Sequence, residues 1–123
     1  MSTKTWVQDV SAGYAEYETQ AFSVAAANDY VEFEFNSPIT LEEIVVESTG
    51  TVSDGYDLSI VYPSTEKQMF IFQNRSGASN YYLSNESGKM WYRIPARGKL
   101  RVTCSTYNAG FNLTLLAVGQ FQG

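Results

Sequence analysis

The sequence predicts an all-β protein, an antiparallel β-sandwich of about eight to ten short strands in a single domain spanning residues 1–123. Three observations predict it. Apolar residues recur with a period of two along most of the chain, turn-forming residues interrupt that pattern about every twelve residues, and no crossover helix separates the strands. The length suits one domain, and 44% apolar residues with only 17% charged ones argue for a packed core rather than a disordered chain.

Each element has its own signal. Thr5 to Val10 and Tyr14 to Val24 read as the first strands, and Asn28-Asp29 then turns the chain. Tyr30 to Phe35 alternates strictly, with Val31, Phe33 and Phe35 on one face and Glu32 and Glu34 on the other. After Ser37-Pro38, Thr40-Leu41-Glu42-Glu43 has the form of a capping box with Leu41, Ile44 and Val45 at helical spacing, whereas Ile44-Val45-Val46 is β-branched. The expectation is one helical turn at Thr40 to Glu43 feeding a strand from Ile44 to Ser48. Tyr56 to Tyr62 places Tyr56, Leu58, Ile60 and Tyr62 inward and is closed by Pro63, which has no N–H to donate. Lys67 to Gln73, Asn80 to Leu83, Lys89 to Ile94, Lys99 to Thr106 and Phe111 to Val118 complete the strands. Arg75-Ser76-Gly77, Glu86-Ser87-Gly88, Arg97-Gly98 and Asn108-Ala109-Gly110 lie between them as turns.

Several chemistries lack their residues. There is no histidine, so the usual neutral-pH base and the commonest transition-metal ligand are missing. Cys104, the one cysteine, alternates with Leu100 and Val102 and reads as a small buried hydrophobe in a chain matured under reducing conditions. Glu42/Glu43 and Asp54/Asp57 could in principle form an acid pair, but neighbours on a strand point to opposite faces and Asp54-Gly55 is turn chemistry. A calcium site near Asp54 and Asp57 lacks the loop spacing of an EF-hand. No Gly-rich phosphate loop or Cys cluster occurs, and no cofactor or metal is expected. The first twenty residues carry no apolar core of a secretory signal, and no run is long enough to cross a membrane.

Charge is segregated along the chain. Residues 1–66 hold twelve acids and one base, and residues 67–123 hold one acid and seven bases. Unless the strand order interleaves the halves, one face is acidic and another basic. Lys89, Arg93, Arg97, Lys99 and Arg101 cluster beside Trp91, Tyr92 and Tyr107 in the manner of single-strand nucleic-acid grooves, but a pI near 4.6 argues against a nucleic-acid partner. Opposite charges suit protein contacts, including contacts between copies of the chain. Eighteen aromatic residues exceed what a core of this size needs. With Met90, Tyr92 and Ile94 inward, Trp91 and Arg93 point out, and one of Tyr81-Tyr82 must do the same. The candidate interface or ligand residues are therefore Trp91, Arg93, Arg97, Lys99, Arg101, Tyr81 and Tyr82.

The run Phe22-Ser23-Val24, Phe33-Glu34-Phe35, Ile44-Val45-Val46, Tyr56 to Ile60, Gly98 to Val102 and Phe111 to Leu115 resembles small jelly-roll domains of two kinds. One kind is the decoration, fibre or tail-associated virion proteins of tailed bacteriophages; the other is the carbohydrate-binding modules appended to secreted enzymes. The first resemblance implies a non-enzymatic protein of the virion, assembled in the host cytoplasm, a capsid decoration protein or else a tail or fibre component. Its partners are a capsid or other virion protein and further copies of itself, with no membrane. The second implies a lectin-like carbohydrate binder. A chain with no readable signal and no attached catalytic domain fits the first better, and a small hydrolase of unusual type ranks third.

Overall fold

The computed structural model describes residues 3–8, 13–18, 22–84 and 92–121, and all regular structure within them is β-strand. The strands are β1 (Thr3–Gln8), β2 (Gly13–Glu18), β3 (Phe22–Val24), β4 (Tyr30–Phe35), β5 (Ile39–Ser48) and β6 (Gly55–Val61). They continue with β7 (Gln68–Ser76), β8 (Tyr81–Ser84), β9 (Tyr92–Ile94), β10 (Lys99–Thr106) and β11 (Phe111–Phe121). The first sheet has the order β1-β4-β10-β6-β7; in the second, β11 and β5 are central, flanked by β2 and β3 on one side and β8 and β9 on the other.

The pairing reveals the architecture. β11 pairs with β2 and β3, β10 with β4, β5 with β8 and β9, and β6 with β7. Counting β2 with β3 and β8 with β9 as single positions, eight strand positions pair last with first, inward to a central hairpin. A ribbon paired in that way and wrapped into two sheets is a jelly roll. All of these ladders are antiparallel; β1 is an extra strand that pairs parallel to β4, a departure from the all-antiparallel expectation. Within the stretch from Tyr14 to Val24, expected as one strand, the described residues form β2, which ends at Glu18, and β3, which starts at Phe22, and residues 19–21 lie outside the described residues.

The core is the space between the sheets. Val31, Phe33 and Phe35 from β4 face Leu113, Leu115 and Phe121 from β11, with Tyr56, Leu58 and Ile60, Leu100, Val102 and Cys104 completing it, all buried. At roughly 25 cal/mol per Å² of apolar area removed from water, this cluster is the main stabilising term.

The expected helical turn at Thr40 to Glu43 is absent, because β5 is continuous from Ile39. Its ladder with β11 slips between Val118 and Gly119: Val118 faces Glu43 while Gly119 faces Leu41, leaving Glu42 as an extra residue. A β-bulge inserts one residue without reversing the face on either side. It thereby puts Leu41 and Ile44 on the same buried face three residues apart, the spacing that imitates a helix.

Candidate ligand-binding cleft

The two ends of the first sheet differ. At one end, loop backbone is tied down by two buried aspartates. Asp29 Oδ2 accepts hydrogen bonds from the amides of Ala25 (2.8 Å) and Ala26 (3.0 Å). Asp54 Oδ2 accepts from Thr51 N (2.9 Å) and Thr51 Oγ1 (3.0 Å), and its Oδ1 accepts from Asn108 N (2.7 Å) and Ala109 N (3.2 Å). Burial works to raise the Asp54 pKa, but the hydrogen bonds from Thr51, Asn108 and Ala109 outweigh it and hold the group below its ordinary value. Asp57 Oδ1 accepts the Asn74 amide at 2.8 Å. The acids considered for calcium are thus turned to backbone donors, and among the described residues no group of three or more His, Cys, Asp or Glu is placed to hold a metal ion.

At the other end, where β4 and β6 finish and β10 begins, a cleft of about 300 Å³ opens, lined by Glu34, Val61, Tyr62, Pro63, Glu66, Arg97 and Lys99. Its base is a row of register partners, Glu34 on β4, Lys99 on β10 and Val61 on β6. One wall is the β6–β7 hairpin, in which Tyr62 O accepts the Glu66 amide (2.8 Å) and Lys67 O accepts the Tyr62 amide (2.9 Å). The other is the turn from Pro95 to Gly98, closed by Gly98 N donating to Pro95 O (2.8 Å) and anchored by Arg97 N donating to Phe35 O (2.6 Å). Glu66 (φ 53°) and Arg97 (φ 66°) both adopt the left-handed conformation. For residues other than glycine it is uncommon and costs on the order of 1 kcal/mol.

Lys99 is committed within the sheet. Its Nζ lies 3.8 Å from Glu32 Oε2 and 3.9 Å from Glu34 Oε1. Glu32 is 1% exposed although it points to the outward face; Arg101 Nε donates to its Oε1 at 2.7 Å and Thr5 Oγ1 to its Oε2 at 2.8 Å. Arg101 also lies 4.0 Å over the Tyr30 ring. Among the described residues, no ion pair is formed by either Arg97 or Glu66.

The structure therefore divides the candidate residues. Arg97 and Lys99 meet in the cleft, while Arg101 and Lys99 neutralise acids from the first half of the chain, because β4 and β10 are neighbours. Arg93 stands exposed on the second sheet, opposite Thr40. Tyr81 turns inward, its ring 4.5 Å from that of Phe72 and 5.4 Å beneath the Arg75 guanidinium; burial pushes its phenol up, with Tyr92 adding to the effect and Arg75 opposing it. Tyr82 is the outward member of its pair, 61% exposed, its hydroxyl 3.3 Å from Glu43 Oε1. Trp91, with Lys89 and Met90, lies outside the described residues, whereas Tyr92 packs against the core and Ile94 is buried within it, as expected. Cys104 is buried, and burial first, then Asp54 and Asp29, push its thiol up to about 11.

No known family matches the sequence, and no relative is found among characterised proteins. Solved structures offer distant likenesses. A chain in the structure of infectious bursal disease virus Gx strain superimposes with a TM-score of 0.48 at 10% identity, over 94% of this chain and 34% of that one. The pre-peptidase C-terminal domain of collagenase from Bacillus anthracis gives 0.44 at 11% identity, covering 94% and 93%. The CBM22-1–GH10 modules of Clostridium thermocellum xylanase 10B, complexed with xylohexaose, give 0.41 at 14% identity, covering 90% and 26%. This chain spans about a third of the bursal virus chain. At this distance the likenesses assign no family, ligand or partner.

Sequence reasoning missed Glu34, Val61, Tyr62, Pro63 and Glu66 as neighbours of Arg97 and Lys99. Their one legible sign was the Tyr62-Pro63 strand end; that it abuts the Arg97 turn depends on β6 pairing with β10, a contact about forty residues apart in sequence.

Proposed function

We propose that the chain is a non-enzymatic attachment protein of a tailed-phage particle, a decoration protein held on the outer capsid surface and assembled in the host cytoplasm. The observation that carries the reading is an apolar row on the outward face of the second sheet. Leu116 on β11, Val45 on β5 and Tyr82 on β8 are consecutive register partners, and Tyr82 ends the row 61% exposed. Exposed aromatic residues on a rigid sheet are what interface anchors are made from. Arg93 stands on the same sheet and can add a charged contact at the rim. Three of the described acids, Glu32, Asp54 and Asp57, are each committed to structural donors, which supports a binding role over a catalytic one for these groups.

The test is to add purified protein back to particles that lack it and measure sedimentation with the particle. Wild type is expected to co-sediment at a fixed ratio. Tyr82→Ala should weaken retention at least tenfold by raising the off-rate, and Arg93→Glu should mainly slow association. Failure of the wild type to sediment with any particle overturns the reading.

A further inference from the structure

We propose that the cleft between the β6–β7 hairpin and the Pro95–Gly98 turn binds a neutral sugar of one or two pyranose rings. The site is separate from the attachment face, which lies on the second sheet, and goes beyond that role.

The polar groups define the ligand. Two acids and two bases line the cleft, so its formal charge is zero. Lys99 and Glu34 contact each other, which leaves Arg97 and Glu66, both lining the same cleft, free of ion pairs among the described residues. A guanidinium only donates hydrogen bonds and a carboxylate only accepts them. A hydroxyl does both. A ligand with several hydroxyls can accept from Arg97 and donate to Glu66 at once, whereas an anion would meet Glu34 and Glu66 and a cation would meet Arg97 and Lys99. An apolar surface is also on offer: the half-buried Tyr62 beside exposed Pro63, with the Tyr62 hydroxyl 3.8 Å from Met69 Sδ. Hydroxyls around an apolar ring face are the chemistry of a pyranose. The volume, about 300 Å³, is at the small end of ligand sites and suits one or two such rings.

The backbone agrees. Turns with a left-handed residue ordinarily carry glycine or asparagine there, yet the two left-handed positions in this cleft carry the two charged side chains that form no ion pair among the described residues. The turn at Arg97 has a glycine one position later, at Gly98, where an added Cβ would lie 2.6 Å from Ile94 Cγ2. Glycine at that position meets a packing need, and the charged residue keeps the strained one.

The experiment is an NMR titration of the full chain with glucose, galactose, mannose, maltose and cellobiose, with glucuronate and glucosamine as charged comparators, reading the Arg97 side chain and Tyr62 ring. At least one neutral sugar is expected to shift both resonances saturably and to bind at least tenfold more tightly than either charged comparator. Arg97→Gly and Glu66→Gly, which remove the side chains while easing the backbone, should each weaken that binding tenfold or more. Tyr82→Ala, on the other sheet, should leave it unchanged while impairing particle retention, so failure of the sugar site and failure of the attachment reading are told apart. The proposal is overturned if no neutral sugar shifts these resonances, if a charged comparator binds as tightly, or if binding survives both glycine variants.

Discussion

Arg101 on β10 donates from Nε to Glu32 Oε1 on β4 at 2.7 Å, directly across the ladder, and closes over a carboxylate that is 1% exposed. The most acidic part of the chain is thereby laid against its most basic part, and the charge separation evident along the sequence is cancelled on this face. Removing one partner of a buried pair leaves an uncompensated charge, at a cost of about 3–5 kcal/mol. Arg101→Ala should therefore lower unfolding stability in urea by about 3 kcal/mol. Lys99→Ala, which loses contacts of 3.8 and 3.9 Å from a partly exposed group, should cost about 1 kcal/mol or less. Equal effects would show that Arg101 is not what compensates Glu32.

Asp54 accepts four hydrogen bonds on its two oxygens and joins the loop after β5 to the loop before β11. An amide replaces one acceptor oxygen with a donor group, so Asp54→Asn leaves two donors facing an N–H₂ and should destabilise by about 2–4 kcal/mol. The pH dependence follows in sign. The folded-state pKa is depressed, so this contribution is complete above the unfolded carboxylate value of about 4 and is lost as pH falls below it. Thermal unfolding from pH 6 downward should show the wild type losing stability below about pH 4, and Asp54→Asn losing less over that range.

Much of the fold was legible because its causes are local. Alternation in Tyr30–Phe35 and Tyr56–Tyr62 placed Val31, Phe33, Tyr56 and Leu58 inward, and all are buried. What misled was the place where the local rule is broken by a partner. Leu41 and Ile44 look helical because the bulge at Glu42 exists only in the pairing of β5 with β11. The parallel β1 and the cleft were hidden for the same reason: both depend on which distant strand lies alongside. Of the candidate residues, the outward and inward members of Tyr81-Tyr82 follow from alternation alone, whereas the partners of Lys99 and Arg101 required the sheet order.

The bulge also makes a prediction about Gly119. A Cβ built there would lie 2.4 Å from Thr40 O and 3.1 Å from Leu41 Cα, both backbone atoms that cannot swing aside. Gly119→Ala must shift the β5–β11 ladder at the centre of the second sheet, and should cost about 3 kcal/mol or abolish folding. Gly110→Ala is the control: its Cβ would meet nothing closer than 3.7 Å, and stability should change by about 0.5 kcal/mol or less. Equal behaviour of the two variants in chemical denaturation would remove the bulge contact as the cause.

The last prediction sets stability against binding at the cleft. Glu66 and Arg97 hold left-handed backbone at about 1–2 kcal/mol each, and glycine relieves that strain while returning up to about 1 kcal/mol of entropy to the unfolded chain. Both side chains are exposed and neither forms an ion pair among the described residues, so little else is lost. Arg97→Gly and Glu66→Gly should each leave the protein as stable as wild type or up to about 1 kcal/mol more stable in urea unfolding. A residue kept in a strained conformation for packing would behave oppositely, since its loss would destabilise the fold. If either glycine variant is less stable by about 1 kcal/mol or more, that side chain holds the turn together, and its conformation says nothing about a ligand. If both are as stable as wild type or more so, the strain at the two positions serves something other than folding, and the sugar titration then decides whether that is the proposed ligand.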